Sequence, residues 1–222
     1  MPSGWDLERR ALRFAIRVRG RAQAAAGQVT ARAPMTEWAA LPRDRAETII
    51  AGDSIARRIP GRLVKNLGAG PVVNHGWGGD TVADVALRIQ VSIDRRPVAL
   101  ALQVGTNDVL RGLPLDVTIA TYRAMAERCR DQLPASGIVI CALPPIARWR
   151  ARPDAVRALN AQLRDIAHAV HAEFCDLHAA LSTAAGVPLP GVSRDGVHLT
   201  ADGYRRYVEE LSETLPRAKA AV

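Results

Sequence analysis

Ser54 stands in the triplet Gly52-Asp53-Ser54, after a short apolar run and before a helical stretch, so its hydroxyl falls at a strand-to-helix turn. A serine hydroxyl is a weak nucleophile until an adjacent base takes its proton, and that base needs a third group to orient it. His198 is the natural base. Asp195 lies three residues before it, close enough to turn a carboxylate back onto Nδ1–H from the same loop. The tetrahedral intermediate of acyl transfer also needs donors for its oxyanion. The candidates are the backbone N–H groups of Ser54 and Gly79 and the side-chain amide of Asn107. Together these groups would cleave esters.

Each residue also has a plainer reading. Ser54 could be a helix cap and Gly79 a turn glycine, and only the combination with Asn107 and His198 favours chemistry. Asp53 and Asp108 read as acceptors for turn amides, and Asn74 as a brace for the loop that follows it. The glycine-rich run 76–81 precedes a helix but carries no phosphate-binding fingerprint. His168 and His171 lack an acidic partner that would complete a zinc signature, so no metal site is expected. Trp77, Ile146 and Trp149 are candidates to line the substrate pocket. Arg148, Arg150 and Arg152 either meet an anionic substrate group or belong to a solvated loop.

The elements that must position these groups follow from apolar patterning. Residues 47–51, 71–74, 98–104, 137–143 and 174–177 read as strands, and 98–104 (VALALQV) is a continuous apolar run suited to a central parallel strand. Residues 55–67, 81–93, 115–133, 153–171 and 200–215 read as helices, with Pro153 at a helix start and Thr200 able to cap the last. Strands joined by crossover helices imply parallel pairing in a three-layer α/β/α sandwich. Ligands of such folds bind beyond the carboxyl ends of the strands, where Ser54, Gly79, Asn107 and His198 are expected.

The chain has 222 residues, enough for one well-buried core, and its net charge of +8 is concentrated at one end. Residues 1–46 hold 9 Arg against 4 acids, whereas residues 47–222 hold 21 basic and 18 acidic groups. The first segment reads as a basic helical extension, the rest as one domain. In the extension Leu7, Ala11, Phe14 and Val18 share one helical face and Arg9, Arg13, Arg17 and Arg21 another. That helix packs on the main domain or a partner subunit, docks through residues 1–26 on an anionic membrane surface, or forms a mobile tail. Aromatic content of 4% is too low for a base-stacking platform, which argues against nucleic-acid binding. No apolar run is long enough to span a bilayer, and the Arg-studded N-terminus lacks the apolar core of a secretory signal. With three scattered Cys, a reduced, cytoplasmic protein is expected, and the oligomeric state stays open.

Four blocks carry a family resemblance: the GDS triplet at Ser54, the Gly-Gly-Asp segment at Gly79, Gly105-Thr106-Asn107-Asp108, and Asp195-Gly196-Val197-His198. In this order they resemble the SGNH hydrolase superfamily, also called GDSL esterases and lipases, over about residues 47–215. The resemblance implies a flavodoxin-like fold with five parallel strands ordered 2-1-3-4-5. It also implies hydrolysis of esters or thioesters, without a metal or other cofactor, by Ser54, Asp195 and His198, with Gly79 and Asn107 in the oxyanion hole. Departures are Ile55 as the fourth residue of the signature, His75 after the Asn, and Trp77-Gly78 before the oxyanion glycine. Because Trp77 narrows the site and no long lid is inserted, short acyl groups of acetyl type are the expected substrates. A lysophospholipase or acyl-thioesterase is the alternative, and a non-catalytic binding module a more distant one.

Overall fold

Five parallel strands form one sheet in the order β2-β1-β3-β4-β5: β1 (Thr48–Gly52), β2 (Val72–Gly76), β3 (Ala99–Gln103), β4 (Gly137–Cys141) and β5 (Glu173–Cys175). The computed structural model describes residues 47–65, 67, 70–148 and 152–220. The helix expected within residues 1–46, and Trp149, lie outside them. The helices are α1 (Ser54–Arg57), α2 (Gly61–Val64), α3 (Val82–Asp94), α4 (Thr106–Leu110), α5 (Leu115–Gln132), α6 (Pro153–Ala169), α7 (Leu177–Leu181) and α8 (Ala201–Ala220).

The continuous apolar strands are explained by two covered faces. Ile49, Ala51, Leu100, Leu102, Ile138 and Ile140 point into one core with α3, α5 and α6. Their chain neighbours Ile50, Ala99, Ala101, Val139 and Cys141 point into the other, with α1, α7 and α8. The alternation is the period-two geometry of a strand, applied to strands buried on both sides. Central β1, β3 and β4 are buried throughout, whereas β2 and β5, at the sheet's edges, are partly open.

Two expectations need correction. The stretch 55–67 is two short helices rather than one, because Pro60 lacks an N–H and holds extended backbone between them. The strand expected at 174–177 ends at Cys175, and Asp176 caps α7 by accepting the Ala179 N–H. The short helix α4 follows Gly105 directly and was not apparent as a separate element.

From β1 the chain crosses by α1 and α2 to β2 on one side, and from β2 by α3 to β3 on the other. The crevice at the carboxyl end of β1 is therefore the point where the winding reverses, the place such sheets leave open for a ligand.

Candidate active site

Asp53, at the end of β1, caps α1 by accepting the Ile55 N–H at 2.9 Å. This makes Ser54 the first helical residue, and its own N–H has no intrahelical acceptor. The Ser54 hydroxyl reaches across 144 residues of chain to His198 Nε2, 3.1 Å away. On the far side of the ring, His198 Nδ1 lies 2.6 Å from Asp195 Oδ2. A proton on Nδ1, donated to the carboxylate, leaves the Nε2 lone pair facing the serine hydroxyl.

The loop carrying this pair is fixed by its own backbone. Asp195 Oδ1 accepts the N–H groups of Val197 at 3.0 Å and His198 at 2.7 Å. Burial works against ionisation of Asp195. The His198 ring and those two N–H groups outweigh it and hold the carboxyl well below the usual carboxylate range. Gly196 has φ +77°, and a Cβ there would lie 2.4 Å from the Ala147 carbonyl oxygen, so only glycine fits. The Ala147 N–H in turn donates to the Gly196 carbonyl at 2.8 Å, tying the segment after β4 to the histidine loop.

The loop after β2 lies beside Ser54. Asn74 braces it as expected, accepting the Gly76 N–H at 2.8 Å and donating to the Ala56 carbonyl at 2.7 Å. The Trp77 N–H donates to the Gly52 carbonyl. Gly79 adopts φ +84°, and its carbonyl accepts from Arg111 at 2.7 Å. Asn107, at the start of α4, donates one amide hydrogen to the Asp80 carbonyl at 2.8 Å, which leaves its second for a ligand. Asn107 is thereby tied to the loop that carries Gly79.

Behind this loop sits a residue the sequence reading missed. Arg88, buried on α3, donates to Asp80 Oδ2 at 2.7 Å, to the His75 carbonyl at 2.8 Å and to the Gly52 carbonyl at 2.8 Å. It thus joins the ends of β1 and β2 to the Gly79 loop. Its only sequence signal is that Arg88 and Ser92, four apart, flank the apolar stripe of α3. Ser92 Oγ lies 2.8 Å from His75 Nδ1. Burial, and then the charges of Arg95 and Arg88, push the His75 pKa down to about 3, so this ring is neutral. Replacing Arg88 by Leu should cost about 3–5 kcal/mol, because it breaks a buried ion pair with Asp80. Urea unfolding measures this directly.

Asp53 and Asp108 act as braces. Asp108 accepts the Val82 N–H at 3.0 Å, and burial pushes its pKa up to about 6. Complete burial, helped by the negative charges of Asp108 and Asp80, raises Asp53 to about 7 against the Ile55 hydrogen bond. Between its ordinary value of 3.8 and about 7, folded Asp53 holds a proton that the unfolded chain has lost. Its contribution to stability therefore falls as pH rises through that window. Asp53→Asn, which retains an acceptor for Ile55, is expected to melt higher than the parent at pH 8 and to lose that advantage at pH 4.

The remaining candidates divide. Trp77 is half-buried at the loop, with the Arg57 guanidinium 4.4 Å from its ring centroid. Ile146 is buried in the core cluster with Leu143, Leu159 and Val197, which ties it to packing more than to an open pocket. Arg148 is exposed, and His168 and His171 are exposed at the end of α6 and just beyond it. Among the described residues, no group of three or more His, Cys, Asp or Glu is placed to hold a metal ion. Nor is any described helix long and apolar enough to cross a membrane.

Comparison with known proteins identifies the family and the fold. Residues 18–206 match the family model described as the GDSL-like Lipase/Acylhydrolase family. A GDSL-like lipase from Bacteroides thetaiotaomicron superposes with a TM-score of 0.74 at 23% identity, over 85% of this chain and 100% of that one. An acetylxylan esterase from Geobacillus stearothermophilus does so with a TM-score of 0.62 at 21% identity, over 77% of this chain and 96% of its own. For a lipase/acylhydrolase from Enterococcus faecalis the values are 0.62 and 19%, over 76% and 94%. At these identities the likeness is one of fold. No curated protein matches the sequence.

Proposed function

We propose, on the premise that the chain belongs to the GDSL-like lipase/acylhydrolase family and hydrolyses esters, that Ser54 is its nucleophile and acetyl-type esters its substrates. Ser54 Oγ attacks the ester carbonyl while His198 Nε2 takes the hydroxyl proton, and Asp195 steadies the imidazolium. The oxyanion is received by the N–H groups of Ser54 and Gly79 and the free amide hydrogen of Asn107. His198 then gives its proton to the departing alkoxide. Water, activated by the same ring, releases the acyl group from Ser54. The observation that carries this reading is the unbroken chain from Ser54 Oγ through His198 to Asp195, at 3.1 and 2.6 Å. Residues 47–222 would form the hydrolase domain and 1–46 its basic extension.

The short-acyl preference rests on Trp77, held beside the Gly79 loop with Arg57 against its ring. The acetylxylan esterase gives acetyl chemistry a precedent on this scaffold. A series of p-nitrophenyl esters of rising chain length tests it. The expected kcat/KM is highest for acetate and falls steadily. A maximum at long chains would favour the lysophospholipase or thioesterase reading, with the basic residues within 1–26 meeting anionic lipid.

A further inference from the structure

Two arginines are docked on the loop of residues 77–81 that runs past Ser54. Arg57, one turn beyond Ser54 on α1, lies 4.4 Å over the Trp77 ring. Arg111, following α4, donates through one nitrogen to the Gly79 carbonyl at 2.7 Å. Each guanidinium carries five N–H donors in a planar fork, and stacking on an indole occupies its face while leaving its edge open. Both residues are exposed. Among the described residues neither lies within ion-pair distance of a carboxylate. Of the acids around the site, Asp195 is paired with His198 and Asp80 with Arg88, while Asp53 and Asp108 are buried on backbone N–H groups, Asp108 within the field of the Arg111 charge. Exposed Arg148 and Arg194 flank the histidine loop and add the same sign. The rim is thus positive on a domain whose sequence, from residue 47 onward, is nearly balanced at 21 basic to 18 acidic groups.

We infer that Arg57 and Arg111 form a subsite for an anionic group on the alcohol side of the ester, so that the preferred substrate is a short-acyl ester of a carboxylate- or phosphate-bearing alcohol. The alcohol side follows from the proposed acetyl preference: an acetyl group carries no anion, so a charged group recognised at this rim belongs to the alcohol. A planar oxyanion takes paired N–H bonds from a guanidinium, and such charge-assisted bonds are roughly twice as strong as neutral ones. The guanidiniums are already held by Trp77 and Gly79, so less side-chain freedom is lost on binding.

The inference rests on the proposed role of Ser54, and the test separates the two. The full chain is assayed with para-acetoxybenzoate, para-acetoxyphenyl phosphate and the uncharged para-acetoxybenzamide. Hydrolysis of the benzamide that requires Ser54 establishes the nucleophile whatever the other two esters do. The subsite predicts kcat/KM about tenfold or more higher for at least one anionic ester, carried mainly by KM. The larger of the two ratios tells carboxylate from phosphate. That preference should collapse at about 1 M salt, where the screening length is near 3 Å. It should fall to near unity in Arg57→Gln/Arg111→Gln and be partly restored by Arg57→Lys/Arg111→Lys. Anionic-to-neutral ratios at or below one in the parent, or ratios unchanged in the glutamine variant, would overturn the subsite.

Discussion

Ser54→Ala is expected to lower kcat for p-nitrophenyl acetate by at least about 10⁴-fold and to leave the fold intact. Among the described residues the hydroxyl hydrogen-bonds to the His198 ring alone, and the residue is half-buried at the head of a short helix whose cap is Asp53. Its removal breaks no packing, and helical alanine is well tolerated. The mutant should therefore melt within a degree or so of the parent while its turnover collapses. Residual activity would come from the oxyanion donors acting on a water held near His198. A fall in kcat accompanied by a large drop in melting temperature would instead make Ser54 a structural residue.

His198→Ala should cost about as much, and the double variant Ser54→Ala/His198→Ala should be little worse than either single one. The two groups form one device: among the described residues His198 is the base hydrogen-bonded to Ser54, and each later task of the ring acts on the acyl transfer that Ser54 begins. Removing the second member after the first therefore forfeits almost nothing further, a non-additivity seen where residues act as a unit. Losses that multiply across the double variant would mean that His198 and Ser54 contribute independently, and the 3.1 Å contact between them would then be incidental. Steady-state kinetics on the three variants, corrected for the uncatalysed rate, measure this.

The sheet was legible because its signal is local. Five apolar runs separated by helical spacing fix the strands to within a residue or two, and the crossovers force parallel pairing. Strand order came from the family resemblance, since no pattern within a strand says which neighbour it pairs with. Ser54, Gly79, Asn107, Asp195 and His198 could be selected because their types suit one reaction and each falls at a strand or helix boundary. What was missed depends on contacts between distant segments. Arg88 looks like an ordinary polar residue on α3, yet it holds three carbonyl or carboxylate groups from two strand ends and a loop. Ile146 is a candidate for the pocket by its place after β4, and the structure puts it in the core cluster that includes residues of α6. The break at Pro60 could have been read, since the residue offers no N–H to a helix running from 55 to 67.

The measurement that bears most directly on the catalytic claim is rapid-quench mass spectrometry of the full chain during turnover of p-nitrophenyl acetate. An acyl-enzyme pathway predicts a transient gain of one acetyl group, mapped to the peptide containing Ser54, formed and discharged at rates consistent with kcat, and absent from His198→Ala on the same timescale. Steady turnover by the parent with the acetyl group on another residue, undiminished in Ser54→Ala, would contradict it.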